Sequence, residues 1–263
     1  MLAYNPDMEF QRELKEHFAK GHEKYLRHLS IDCLIFGFHE NELKILLLKV
    51  KYAGKWALPG GFVLKNEHLE ESAKRILKQR TGLEAIYLRQ FYTFGDPVRS
   101  TKEINQRFLK NIGIKNENSW MFDRFISIGY YALVDFTKVD PAPDNISDAC
   151  EWFNVHQIPD MILDHSDIFK KGLDHLRLQL NFQPIGYNLL PVKFTMPELQ
   201  KLYETIMDKK LDRRNFQRKI LSTGILKRLN ETKKGVAHKA PYYYKFDMRR
   251  YHKALEAGMN FET

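Results

Sequence analysis

Three glutamates stand close together at one point of the chain, Glu67, Glu70 and Glu71, with Arg75 just beyond them. Carboxylates are the oxygen donors that hold Mg²⁺, an ion that neutralises phosphate charge and activates water in pyrophosphate cleavage. Further along the same stretch come Ile76, Gln79 and Arg80, whose i, i+3, i+4 spacing puts them on one helix face. None of those three offers an anionic oxygen. The glutamates also have a structural reading: acids at a helix start favour its dipole, and Glu71 lies four residues before Arg75, the spacing of an ion pair. A displaced metal site built from Glu67, Glu70 and Glu71 is the competing reading. Arg80 is either a solvated residue of the last helical turn or a cation that meets an anionic ligand directly.

A second concentration of chemistry lies near the C-terminal end. Arg213, Arg214, Asn215, Gln217 and Arg218 fall within six consecutive residues, and Lys233, Lys234, His238 and Lys239 follow. Guanidinium forks and amides read base edges and phosphates in a DNA groove, and lysines hold phosphates. Charge distribution agrees. The 263 residues carry a formal charge of +9. Residues 191–263 contain 17 Lys and Arg against 8 Asp and Glu, so the whole excess lies there and residues 1–190 are balanced. Such segregation implies an anionic partner for the basic part.

Composition sets the frame for the elements that must position these residues. With 43% hydrophobic and 29% charged residues, the chain can bury a core, which excludes disorder and a disulfide scaffold. No apolar run reaches the roughly 18 residues of a membrane span, and residues 1–7 lack a signal-peptide core. Cys33 and Cys150 are expected as two buried thiols in a reduced cytoplasm.

Phe10, Leu14 and Phe18 mark an amphipathic N-terminal helix. Residues 30–38 and 43–51 read as a hairpin of buried strands. Residues 67–81 read as a helix closed by Gly82, 86–94 and 124–135 as strands, and 167–180 as a helix. Residues 100–123 are a polar insertion with an isolated Trp120, and Trp152 reads as a core aromatic. After Pro191, Thr195 and Glu198 form a capping box for a first helix, and Asp212 caps a second that runs to about 223. Strands at 225–230 and 242–246 flank a basic loop, and a helix over 247–255 closes the chain. Helix, turn, basic helix and hairpin describe a winged helix-turn-helix. The expected domains are an N-terminal helix at 1–29, a sensing domain at 30–183 and a DNA-binding domain at 184–263.

The stretch from Gly61 resembles the Nudix hydrolase signature, which is Gly, five residues, Glu, seven residues, then Arg-Glu-apolar-x-Glu-Glu-x-Gly-apolar. Gly61, Glu67, Arg75, Leu77, Gly82 and Leu83 keep its spacing, and the lead-in from Trp56 to Phe62 is similar to that of the family. The three helix glutamates correspond to Ile76, Gln79 and Arg80, so ordinary Nudix hydrolysis is expected to be absent or very weak. With the winged helix behind it, the chain resembles the NrtR-type Nudix-related transcriptional regulators. The runs NFQPIGYNLLPVKFTMPELQKLYETI and LDRRNFQRKILSTGIL carry that likeness, as do Gly95–Arg99 and RFISIGYYALV.

The resemblance implies an α+β chain: a Nudix α/β/α sandwich with a mixed sheet, followed by a winged helix. It also implies a sensor of ADP-ribose or of a sugar such as arabinose, binding double-stranded operator DNA as a homodimer in the cytoplasm. Candidate liners of the sensing groove are Arg80, Arg99, Arg124, Ser127 and Tyr130, with Trp120 closing over the ligand. No cofactor is expected, and a site without metal carboxylates is poorly equipped for a diphosphate, which favours a sugar. The rival readings are a Mg²⁺-dependent Nudix hydrolase using the three glutamates, with a basic accessory domain, and an RNA-binding module.

Overall fold

The computed structural model describes residues 16, 20–51, 53–83, 87–99, 120, 123–143, 147–184, 186–235 and 240–257. The chain divides into two compact units. The first comprises Met1–Ile35, Ile45–Ala132 and Val139–Gly172, and the second comprises Phe36–Lys44, Leu133–Lys138 and Leu173–Thr263.

The first unit is organised by a seven-stranded mixed sheet. Its strands are β1 (Tyr25–His39), β2 (Glu42–Val50), β3 (Trp56–Ala57), β4 (Gly60–Leu64), β5 (Tyr87–Phe94), β6 (Ile126–Val134) and β7 (Ser147–Asn154). The order is β3-β2-β1-β6-β5, with β4 added on β1 and β7 on β2. β1 and β2 form the expected hairpin, and Ile31, Leu34 and Ile35 are fully buried on the former. The turn of the hairpin belongs to the second unit. Glu40 and Asn41 there both adopt positive φ, 51° and 63°, the pair of values a two-residue hairpin turn of type I′ requires.

β4 runs antiparallel to β1 with Asp32 opposite Gly60. A Cβ on Gly60 would lie 2.7 Å from the Ile31 carbonyl oxygen, so only glycine lets the two backbones approach. That pairing extends to Tyr25. Tyr25 to residue 29, expected to belong with the N-terminal helix, is therefore strand, and described helical residues before it end at Lys24.

Helix α1 (Leu69–Thr81) follows β4. Its first turn is fixed by Glu71, whose carboxylate accepts from the His68 N–H at 2.9 Å. It stops at Gly82 in the left-handed region, φ 70°, as a helix C-terminal cap demands. Ala73, Ile76 and Leu77 are its buried stripe. Helix α2 (His165–Gln179) begins in the first unit and ends in the second.

The second unit contains a winged helix. β8 (Phe194–Thr195) leads into α3 (Met196–Met207), then α4 (Arg213–Ser222), β9 (Leu226–Thr232), β10 (Tyr242–Phe246) and α5 (Met248–Ala257). The three strands pair in the order β8-β10-β9. The capping box forms as expected: Thr195 N–H donates to Glu198 Oε2 at 2.7 Å, and Glu198 N–H donates back to Thr195 Oγ1 at 3.4 Å. Phe194, Leu199, Leu202, Ile206, Phe216 and Ile220 make the core. Among the described residues no helix is long and apolar enough to cross a membrane.

Candidate functional site

α1 shows why the helix survives while its metal chemistry does not. Ile76 is buried, 1% exposed, and packs against Gly61. A carboxylate there would need a cation, and a sec-butyl group needs only the core. Gln79 is exposed and Arg80 half-buried. The face that would carry three carboxylates thus offers an alkyl group, an amide and a guanidinium, which does not fit Mg²⁺.

The displaced site from Glu67, Glu70 and Glu71 is not assembled either. Glu67 accepts from Arg75 through Nε at 2.9 Å and Nη2 at 2.8 Å, and also from the Ser72 hydroxyl. The Arg75 hydrogen bonds, more than any other cause, lower its pKa from the usual 4.5 to about 2. Arg75 also donates to the Phe62 carbonyl at 2.9 Å, tying α1 to β4. The expected Glu71–Arg75 pair gives way to this arrangement, because Glu71 is committed to the helix start and Glu67 is the residue the guanidinium can reach in two places. Among the described residues, no group of three or more His, Cys, Asp or Glu is placed to hold a metal ion.

Arg80 and Tyr130 gather instead near the middle of β1. Burial pushes the Cys33 thiol far above its usual value, the Asp32 carboxylate adds to this, and the Arg80 charge opposes it. Tyr130 is buried and its hydroxyl is likewise raised, first by burial and then by Glu70 and Cys33. It donates to Gln90 Oε1 at 3.3 Å. This neighbourhood of α1, β1 and β6 keeps a cation, an acid and a hydroxyl within range of one another. Cys150 is only half-buried, as is Trp152.

Arg99 and Ser127 are both committed to partners inside the fold. Arg99 is 7% exposed. Its Nε and Nη2 reach the two oxygens of Asp164 at 2.7 and 3.0 Å, Nη1 donates to the Phe125 carbonyl at 3.2 Å, and Nη2 stands 3.6 Å from Asp32 Oδ2. The fully buried Ser127 hydroxyl donates to Asp32. His165 completes the cluster: its Nδ1 accepts from the Leu58 N–H at 2.9 Å, leaving Nε2 3.7 Å from Asp32 Oδ1. A buried carboxylate such as Asp32 is tolerated only with partners of this kind. Asp32, Asp164 and His165 were not singled out from sequence. The available signal was a lone acid inside the apolar run Ile31–Phe36.

Trp120, expected to close over a ligand, is packed into an aromatic cage. It is 3% exposed, held among Phe62, Phe125 and Tyr25 at centroid distances of 4.8, 5.5 and 6.2 Å. Burying an indole in such a cage gains more than leaving it on a solvated loop. The rest of the insertion, apart from Asp123, lies outside the described residues. Arg124 is exposed and donates to the Gly95 carbonyl. A groove of about 600 Å³ is lined by Thr93, Gly95, Asp96, Arg99, Asp164 and Asp167. Arg99 and Asp164 neutralise each other there, and the remaining Asp96 and Asp167 repel a diphosphate.

In the winged helix, Asp212 caps α4 by accepting from the Asn215 N–H at 2.8 Å. Arg213, Arg214, Asn215 and Arg218 are exposed and Gln217 is half-buried, with Arg218 donating to Asn215 Oδ1 at 3.0 Å. Phe216 and Ile220 anchor the opposite face. Lys233 is tied to Glu198 at 2.8 Å, which fastens the wing to the start of α3, while Lys234 is exposed. His238 and Lys239 lie outside the described residues.

Comparison with known proteins agrees with this architecture. Residues 26–172 match the NUDIX domain and residues 186–246 match the NrtR DNA-binding winged helix domain. The chain is 27% identical over 231 residues to the ADPR responsive transcriptional repressor NtrR of Acinetobacter baylyi, covering 85% of this chain and 83% of that one. It is 27% identical over 158 residues to an ADP-ribose pyrophosphatase of Methanocaldococcus jannaschii, covering 59% of this chain and 79% of the other. Among solved structures, that of Shewanella oneidensis NrtR complexed with a 27mer DNA has the same fold, with a TM-score of 0.67 at 22% identity, covering 86% of this chain and 96% of that one. The chain belongs to the Nudix family, with an NrtR-type winged helix behind its Nudix domain.

Proposed function

We propose that the chain is a DNA-binding transcriptional repressor whose Nudix domain senses ADP-ribose or a close nucleotide relative, without hydrolysing it. The observation that carries this is the pairing of an α1 face that does not fit Mg²⁺ with an α4 whose cations stand exposed. The Acinetobacter repressor, whose name states its response to ADP-ribose, aligns with both parts together. That likeness moves the effector away from the sugar expected from the missing carboxylates. Arg80, brought near β1, is the cation that supports an anionic ligand.

In this reading the first turn of α4 enters the major groove, with Arg213, Arg214 and Asn215 facing base edges and Gln217 and Arg218 the flanking phosphates. Lys234, with His238 and Lys239, follows the neighbouring backbone. The protein acts as a homodimer on half-sites about one DNA turn apart. Effector occupancy shifts the population between operator-competent and operator-incompetent states.

A mobility-shift titration on the DNA upstream of the protein's own gene, at about 100 mM salt, tests this. Retarded DNA that ADP-ribose releases and arabinose does not is the expected result. Absence of a shifted species would overturn it. Mg²⁺- or Mn²⁺-dependent cleavage of ADP-ribose would restore the hydrolase reading that the Methanocaldococcus relative represents.

A further inference from the structure

The second unit contains a cavity that the Nudix chemistry does not use and that meets the proposed DNA-reading face only at Asn215. It measures about 290 Å³ and is lined from the end of α2, from α3 and from α4. Leu180, Tyr203, Phe216 and Ile220 in its lining are buried, and Met207 is half-buried, so its floor is apolar. Lys209 and Lys219 line the same cavity and are exposed, which places two cations at its mouth.

The walls are pre-formed. The turn between α3 and α4 is pinned by Leu211, whose N–H donates to Glu204 Oε1 at 2.9 Å and whose carbonyl accepts from Gln200 Nε2 at 3.0 Å. Gln200 and Glu204 bond to each other at 3.1 Å, so the clamp is closed on itself. On the floor, Phe216 meets Tyr203 edge to face at 5.3 Å. A cavity held open by hydrogen bonds cannot collapse to recover the lost packing, and a ligand that fills it gains both burial and dispersion.

The geometry points to a binding site for a small amphiphilic carboxylate, an aryl or short acyl chain in the apolar floor with its anion between Lys209 and Lys219. The acid in the lining, Asp212, stays ionised as the cap of α4, so Lys209 and Lys219 outweigh it and leave the lining with an excess of one positive charge. Asp212 and Asn215 belong to the first turn of α4, beside Arg213 and Arg214. An occupant therefore touches the turn that carries the exposed arginines. Its consequence for DNA rests on the proposed repressor function; the binding itself does not.

The test uses the full chain, with octanoate and phenylacetate as probes and octanol and phenylethanol as their uncharged counterparts. Calorimetry is expected to show saturable binding of the carboxylates, with affinity at least about tenfold above the alcohols, the worth of one charge-assisted contact. Hydrogen exchange should slow across residues 203–223 and not in the first unit. The double variant Lys209→Gln/Lys219→Gln, at two exposed positions, should bring the carboxylates down to the affinity of the alcohols. ADP-ribose should neither compete nor be displaced.

No saturable binding by any probe would overturn the inference. So would protection elsewhere in the chain, or unchanged carboxylate affinity in the double variant. A mobility shift repeated with saturating octanoate then reads the regulatory consequence, and unchanged operator affinity would remove that part alone. If the protein binds no operator, the calorimetry and exchange still decide the site.

Discussion

Two pairs of arginines, one in each unit, are treated in opposite ways. In the first, Arg75 and Arg99 are consumed by carboxylates: one clasps Glu67 with two nitrogens, the other is buried against Asp164 and Asp32. In the second, Arg213 and Arg214 stand exposed on the first turn of α4. Arg75 and Arg99 are therefore architectural, with their charge neutralised inside the fold. Arg213 and Arg214 keep their charge exposed, since Phe216 and Ile220 are the residues α4 buries. A guanidinium is functional where its counter-charge is missing from the fold, and structural where the fold supplies it.

The sharpest break of that contrast is Arg99→Met. It leaves Asp32 and Asp164 without their cation in a buried setting and should cost roughly 3–5 kcal/mol in denaturant unfolding. A loss no larger than that of an exposed arginine would mean the cluster is not structural.

Next comes Glu67→Gln. Its pKa is lowered to about 2 in the fold from a usual 4.5, so the carboxylate stabilises above pH 4.5 and that contribution disappears as pH falls towards 2. The variant should lose about 2–3 kcal/mol at pH 7. The difference from the parent should vanish near pH 2, read by denaturation midpoints across that range. A difference that stays constant with pH would assign the loss to something other than the charge.

The smallest effects are expected on the other side of the comparison, and they should leave stability untouched. Arg214→Ala should reduce discrimination between operator and unrelated DNA by about tenfold or more. Lys234→Ala should weaken both equally and lower the slope of affinity against salt by about 1. Identical effects of the two variants would place base reading on another element.

Features set by close neighbours were readable in advance. The capping box of Thr195 and Glu198, the stop at Gly82, the hairpin and the Asp212 cap depend on residues within about four positions, and all four form where expected. The exposure of the α4 arginines was readable too, because a helix with Phe216 and Ile220 inward must turn its arginines outward. The site in the first unit was legible only in part. Ile76, Gln79 and Arg80 announced the lost metal face by their chemistry alone. The partners of Arg99, Ser127 and Trp120 were not readable, because sequence gives the residue type but not its partner.

Those partners are remote. Arg99 meets Asp164 across 65 positions, Ser127 meets Asp32 across 95, and Leu58 meets His165 across 107. Sequence by itself determined the helices with their caps, the segregation of charge into the winged helix and the absence of metal carboxylates from α1. All of these follow from residue type and short-range spacing. Tertiary structure decided which arginines are neutralised, where the indole of Trp120 is buried and that a cavity opens beside α4. A charge is spent or kept according to what the fold brings within a few ångströms of it, and that proximity is set by the whole chain.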